Sequence, residues 1–206
     1  MTTISVITPW LDHSELCKVY EQSVWGAQVV IVDNGSDQLQ AERIEQMVSR
    51  MRGVYIRNNE NRLFAAANNQ GLKEATGEIV VFMNNDVECR PGFLDLVVRD
   101  VKAGGLYGPS LLSKHGYEYL EGWCIAARRE VWDKLGGWDD QYYTGLYWED
   151  NDLCFRAVKA GFGLHKTAWP VWHFNNYTTR TMFAEATAHS AENERKFVER
   201  TRTWPG

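Results

Sequence analysis

Glu78-Ile79-Val80-Val81-Phe82-Met83-Asn84-Asn85-Asp86 changes character within one step, from an unbroken apolar run to two amides and a carboxylate. The run is led by β-branched residues and is long enough for a strand but too short for a typical helix. Because it does not alternate, it predicts a strand covered on both faces, as in the parallel sheets of α/β proteins. Arg90-Pro91-Gly92-Phe93 follows, and Pro91 suits the first turn of a helix. Polar residues between a buried strand and a helix fall at the carboxyl edge of the sheet, where open α/β folds bind ligands. Held there, Asp86 could bind a hard cation or a ligand hydroxyl. Asn and Asp are also good turn formers, and this stretch alone leaves both readings open.

Upstream, Val29-Val30-Ile31-Val32 repeats the pattern and ends in Asp33-Asn34-Gly35-Ser36. Asn-Gly is a strong turn signal. Asp33 also falls at the same sheet edge, where it could accept hydrogen bonds from a base or ribose. Ile4 to Pro9 predicts a first strand, with Pro9 expected to end it because proline cannot donate to a ladder. Asp12 or Ser14 is the expected cap of a helix running to about Ser23. Leu39 to Arg50 predicts an amphipathic helix, and Val54-Tyr55-Ile56 a short third strand. Ala65-Ala66-Ala67 favours a helix with a small surface. Asn68 lies inside that helix, where an amide more often faces solvent, and Gly77 is its expected stop. Strands and helices in alternation predict an α/β fold with a largely parallel sheet.

The second half is more irregular. A helix is expected from Pro91 to about Lys102, a strand near Leu106-Tyr107, a loop or hairpin over Gly108 to Gly116, and a strand at Trp123 to Ala127. A short helix from Arg128 is expected to end at Gly136-Gly137, and another to end at Gly161. Glu149-Asp150 is the second chemical candidate. Adjacent carboxylates beside Trp148 repel, and desolvation raises at least one pKa, which suits a general base for a hydroxyl. Acidic residues in a first helical turn also complement its dipole, and Asp152 is assigned to that role alone.

The 206 residues, 44% hydrophobic, can bury a real core and fit one domain. A net charge of −5 argues against nucleic-acid binding through general basicity. No apolar run reaches the length of a membrane span, and the N-terminus shows no signal-peptide pattern. Cys17, Cys89, Cys124 and Cys154 are scattered without CxxC spacing and are expected as reduced, mostly buried thiols of a cytoplasmic protein.

Taken together the segments resemble the inverting glycosyltransferases of family 2, which have the GT-A fold. The resemblance runs through Val6-Ile7-Thr8-Pro9, Val30 to Ser36, Asn61 to Phe64, Asn68-Asn69-Gln70-Gly71 and Met83 to Asp86. It continues through Pro91-Gly92-Phe93-Leu94, Gly122-Trp123-Cys124, Arg128-Arg129, Gly136-Gly137-Trp138-Asp139 and Glu149 to Cys154. Each piece is weak alone; their order and spacing carry the signal. The resemblance implies a single Rossmann-like GT-A domain over 1–206. Residues 1–103 would form the nucleotide-sugar half, 104–180 the acceptor and catalytic half, and 181–206 a C-terminal helix.

It also implies roles. Asp86 matches the last aspartate of the DxD-like motif that holds Mn²⁺ or Mg²⁺ against the donor diphosphate, where a hard cation neutralises the leaving group. His173 would complete that site, in preference to His165, which falls in an expected strand. Asp33 matches the base or ribose contact, Thr8 and Pro9 the edge of the base pocket, and Asn68 and Asn85 complete the nucleotide side. Asp150 matches the catalytic base, with Glu149 positioning the acceptor or the base. Gly122, Trp123 and Trp148 are the expected substrate contacts, since sugar faces stack on aromatic rings.

Asn84 stands where many relatives carry an aspartate, which implies weak metal binding in the free enzyme. Leu63 replaces a common glycine, and Ala67 an arginine. Thr181 to Arg200 predicts one charged helix with no acceptor domain or membrane helix, against a polymer synthase with its own channel. The implied partners are a UDP- or dTDP-sugar donor and a carbohydrate or glycosylated acceptor, and a rhamnosyltransferase-like role stays open. A sugar-1-phosphate nucleotidyltransferase would want a glycine-rich basic loop where Pro9-Trp10-Leu11-Asp12 stands. A non-catalytic glycan-binding relative would not need Asp86, Asp150 and His173 together.

Overall fold

The strand Ile79–Met83 sends its side chains alternately into two cores. Ile79, Val81 and Met83 pack with Tyr20, Ile44, Met47 and Phe93 on one face, while Val80 and Phe82 pack with Ala65, Trp132 and Leu153 on the other. That is the two-sided burial its unalternating sequence requires. The computed structural model describes residues 2–143, 145–174 and 188–204.

In chain order the first half runs β1 (Ile4–Trp10), α1 (Cys17–Ser23), β2 (Gln28–Asp33), α2 (Gln38–Arg50), β3 (Val54–Arg57), α3 (Leu63–Glu74) and β4 (Ile79–Met83). Then come β5 (Val87–Cys89), α4 (Phe93–Asp100), β6 (Gly105–Gly108), and the hairpin β7 (Leu111–Lys114) with β8 (Tyr117–Leu120). The remainder is β9 (Cys124–Arg128), α5 (Arg129–Leu135), α6 (Glu149–Lys159), β10 (Gly163–Lys166), β11 (Val171–His173) and α7 (Ser190–Thr203). Seven strands form one sheet in the order β10-β6-β9-β4-β1-β2-β3. Pairing is parallel from β4 to β3 and between β10 and β6, and only β9 runs antiparallel to its neighbours.

Several local expectations are corrected. Pro9 does not end β1, which continues to Trp10 and pairs Pro9 with Val32. The Trp10 carbonyl accepts from Asn34 on the β2 side. Strand groups alternate in direction, so the missing Pro9 N–H would face the β4 side, where pairing has already stopped at Ile7. Gly77 does not stop α3, which ends at Glu74. Its lack of a side chain serves close approach instead, since a Cβ there would lie 2.5 Å from the Ser5 nitrogen. Neither Asp12 nor Ser14 caps α1; a short 3₁₀ turn at Ser14–Leu16 precedes it, and the Asp12 carboxylate accepts from the Asp37 N–H at 2.9 Å. Asn68 is fully buried rather than solvent-facing. Residues 181–187 of the expected C-terminal helix lie outside the described residues.

Asp152 is not a mere dipole complement. It is fully buried in α6 and pairs with Arg156 one turn on at 2.7 Å and with Arg200 of α7 at 3.0 Å. Arg200 also holds Asp139 at 2.6 Å, and the Tyr143 hydroxyl reaches Asp152 at 3.2 Å. Phe197 of α7 packs beside this knot with Trp148 and Phe155. The clasp fixes the depth and rotation of α6. Arg200→Ala is expected to lower the unfolding free energy by about 3 kcal/mol, the cost of stripping one partner from a buried ion network. Urea denaturation checks this, and an unchanged midpoint would show that Arg156 alone suffices for Asp152.

Candidate active site

Asp86 follows β4 at the carboxyl edge of the sheet and is 2% exposed. The next residues form β5, which pairs antiparallel with β11 in a register that sets His173 opposite Val87. The Phe174 N–H donates to the Asp86 carbonyl at 2.9 Å. This small ladder, between segments more than eighty residues apart, brings His173 Nε2 to 3.1 Å from Asp86 Oδ1. The Trp123 indole lies flat on the imidazole, with centroids 4.9 Å apart and planes 11° from parallel. Trp123 also accepts the Asn84 N–H on its carbonyl at 2.9 Å, tying the entry of β9 to the end of β4.

Asp150 sits in the first turn of α6. The chain enters that helix through two left-handed residues, Tyr147 at φ 76° and Trp148 at φ 80°. Asp150 Oδ2 accepts from the Gly122 N–H at 3.1 Å and Oδ1 from the Asn151 N–H at 2.9 Å. Burial lifts the Asp150 carboxyl to about 6, against those hydrogen bonds. Its neighbour Glu149 is pushed up to about 8, first by burial and then by the charge of Asp150.

A cleft of about 380 Å³ joins these pieces and is lined by Gly122, Trp123, Trp148, Glu149, Asp150 and His173, with Glu121 among its other walls. A smaller cavity of about 110 Å³ is lined by Pro9, Trp10, Leu11, Asn34 and Asn85. The two share Phe64, Asn84 and Leu146, so they are adjoining parts of one depression. Thr8, Asp33 and Asn68 line neither. The Thr8 hydroxyl pairs with that of Tyr20 at 2.6 Å. Asp33 accepts from the Tyr55 hydroxyl at 2.5 Å and the Ser36 N–H at 2.9 Å. The Asn68 carboxamide has neither of its polar atoms paired among the described residues.

Three contributors have roles that the sequence alone does not show. Asn34 is more than a turn former: its side chain donates to Asn61 at 2.7 Å and accepts from Asn58 and from the Arg62 N–H, ordering the strip over the smaller cavity. Gly35, at φ +95°, lies where a Cβ would meet the Glu60 backbone at 2.9 Å. The run Asn58-Asn59-Glu60-Asn61 was the available signal. Glu121 belongs to no motif and had none.

No group of three or more His, Cys, Asp or Glu among the described residues could hold a metal ion by itself. Asp86 and His173 nevertheless offer one oxygen and one nitrogen donor 3.1 Å apart. Adjacent ligands of an octahedral ion with bonds of about 2.1 Å have that spacing, and Mg²⁺ commonly takes few protein ligands and fills its shell with phosphates and water. The donor set fits a divalent ion that binds together with a phosphate-bearing ligand.

Comparison with known proteins agrees with the fold. The mannosyltransferase PcManGT from Pyrobaculum calidifontis, solved with GDP-Man and Mn²⁺, matches 100% of this chain and 66% of its own at TM-score 0.72 and 17% identity. S. aureus TarS 1-349 matches 75% of this chain and 55% of its own at TM-score 0.59 and 15% identity. The O-antigen biosynthesis protein RfbC of Myxococcus xanthus is 23% identical over 210 residues, 79% of this chain and 16% of that protein. The pre-mycofactocin glycosyltransferase of Mycobacterium tuberculosis is 23% identical over 189 residues, 77% of this chain and 39% of that protein. This chain therefore spans well under half the length of either relative. The model of "Glycosyl transferase family 2" matches residues 16–136, more than half the sequence, and with a mostly parallel sheet shared with solved GT-A glycosyltransferases the chain belongs to that family.

Proposed function

We propose that this chain transfers a sugar from a nucleoside-diphosphate donor to an acceptor hydroxyl, with inversion at the anomeric carbon. The observation that carries this is the placement of Asp150. It is a half-buried carboxylate with both oxygens oriented by backbone N–H groups, and it faces the cleft that also holds His173. A carboxyl near 6 is ionised at neutral pH yet basic enough to take a proton from a hydroxyl in the transition state. As the acceptor oxygen bonds to the anomeric carbon, its proton passes to Asp150, and the bond to the diphosphate breaks on the opposite face. Glu149, largely protonated at neutral pH, can donate a hydrogen bond beside it without adding charge.

Asp86 and His173 would hold Mn²⁺ or Mg²⁺, which would neutralise the charge that develops on the leaving diphosphate. Trp123 fixes the plane of the imidazole. The smaller cavity, with Pro9 and Asn85, would take the nucleoside. Asp33 and Thr8, next in sequence to its lining residues Asn34 and Pro9, would support that pocket from within the sheet, and Asn68 would serve it only indirectly, since it is fully buried. UDP and dTDP sugars are the favoured donors on family resemblance. GDP-Man in the Pyrobaculum neighbour makes GDP the first comparison.

Calorimetric titration of UDP, dTDP, GDP, CDP and ADP, with and without Mn²⁺, is expected to find one diphosphate bound in a metal-dependent way. Asp86→Ala should abolish that binding; binding of none by the wild type would sink the donor site. Asp150→Asn is expected to cut kcat by about 10²- to 10⁴-fold, the usual worth of a general base, while leaving diphosphate affinity unchanged. Because the base must be ionised, wild-type turnover should fall as pH drops through about 6. Glu149 has a folded pKa raised above its unfolded value, so the stability it contributes is present below about 4.5 and lost as pH rises through about 8. Glu149→Gln should therefore melt higher than wild type at pH 8 and alike at pH 4. Equal shifts at both pH values would place the effect in packing.

A further inference from the structure

Glu121 enters the cleft from the end of the β7–β8 hairpin, immediately before Gly122. Two donors converge on one of its oxygens. The Ser110 hydroxyl hydrogen-bonds to Oε2, and the Trp123 indole N–H reaches the same atom at 3.3 Å. No hydrogen bond from the described residues lands on Oε1. A carboxylate pinned on one oxygen and open on the other is an acceptor-only group with fixed aim, suited to hydroxyl donors. Glu121 and Asp150 approach the same backbone corner, because Asp150 Oδ2 accepts from Gly122.

The electrostatics of the walls narrow the ligand. Glu121, Glu149 and Asp150 all line the cleft. Among the described residues Lys114 is the one lysine or arginine lining it, and its ammonium is engaged by the Trp148 ring at 4.2 Å and by Glu194 at 3.7 Å. Tyr147, 37% exposed, offers an aromatic surface at the rim. With Glu149 largely protonated, the Glu121 and Asp150 carboxylates accept hydroxyls and disfavour an anionic group beside them, on the side of the cleft away from the Asp86–His173 pair that would meet the diphosphate.

We propose that Glu121 is the residue that anchors the acceptor, and that the acceptor it selects is an uncharged sugar unit presenting hydroxyls, not a uronate or phosphate-bearing one. This rests on the glycosyltransferase reading above. Oε1 accepts a hydrogen bond from a hydroxyl adjacent to the reacting one, which turns the reacting hydroxyl toward Asp150.

The glycoside readout needs no nucleotide, and diphosphate affinity serves as its control. Saturation-transfer NMR on the full chain would measure binding of p-nitrophenyl glucoside, galactoside, mannoside and rhamnoside against p-nitrophenyl glucuronide, for wild type, Glu121→Gln and Glu121→Asp. At least one neutral glycoside is expected to bind, with the glucuronide about ten-fold weaker. Glu121→Gln should weaken the neutral glycoside about ten-fold, the scale of one charge-assisted hydrogen bond. Diphosphate affinity should stay at the wild-type value in the same variant, which a general loss of structure would not allow. Glu121→Asp keeps the charge but withdraws it by one methylene, and is expected to fall between the two. Glucuronide binding as tight as that of the neutral glycosides, no neutral glycoside bound, or indifference of both variants would each overturn the proposal. Failure of the wild type to bind any diphosphate would count against the donor reading and leave the glycoside result standing separately.

Discussion

Asp150 keeps a fixed aim into the cleft because two backbone N–H groups hold its oxygens, and much of the surrounding structure is arranged to keep them there. One comes from the loop before β9 and the other from the helix that carries Asp150. For both to converge, α6 must begin abruptly, and it does so through consecutive left-handed residues at Tyr147 and Trp148. Such conformations in bulky residues cost of order 1–3 kcal/mol each and persist only where the surroundings impose them. Trp148 is 3% exposed and packs on Phe197, so its strained backbone is locked by its own side chain. The Asp152–Arg200–Asp139 clasp holds the same helix from below.

The sheet supplies the other fixed wall. Alternate residues of β4 enter separate cores, so a shift of one position would exchange both sets at once. Asn84, Asn85 and Asp86 are therefore delivered to the edge with little freedom. Gly71 lets α3 lie against β1 so closely that any Cβ would run into the Ile7 side chain.

The fold was legible because buried parallel strands write themselves as unbroken apolar runs: Val29 to Val32 and Ile79 to Met83 needed no partner information. The errors lie where local rules met tertiary context. Pro9 breaks a ladder only on a side that has one, and at Pro9 that side is already unpaired. Gly77 looked like a helix stop, but its smallness answers to Ser5, seventy-two residues away. Asp86 and Asp150 stood out as polar residues at predicted element ends. His173 could be paired with Asp86 only through family resemblance, because a three-residue antiparallel ladder leaves no periodic trace. The role of Asp152 depends on Arg200, and Glu121 depends on Ser110 and Trp123 converging on one oxygen. Leu63 was noted as a departure from a usual glycine, and it sits at φ 67°, the conformation a glycine would adopt freely.

All four cysteines are free and buried among the described residues. Burial pushes Cys17 up to about 11 and Cys89 up to about 12, and Cys124 and Cys154 also lie well above the ordinary thiol range. Thiolate is the form that alkylates, so the native protein offers a maleimide or iodoacetamide almost no target. Cys124 and Cys89 sit in the core on one face of the sheet and Cys154 in the core on the other. The rate at which each is modified then becomes a clock for the opening of its own layer, read out by mass spectrometry without any engineered label.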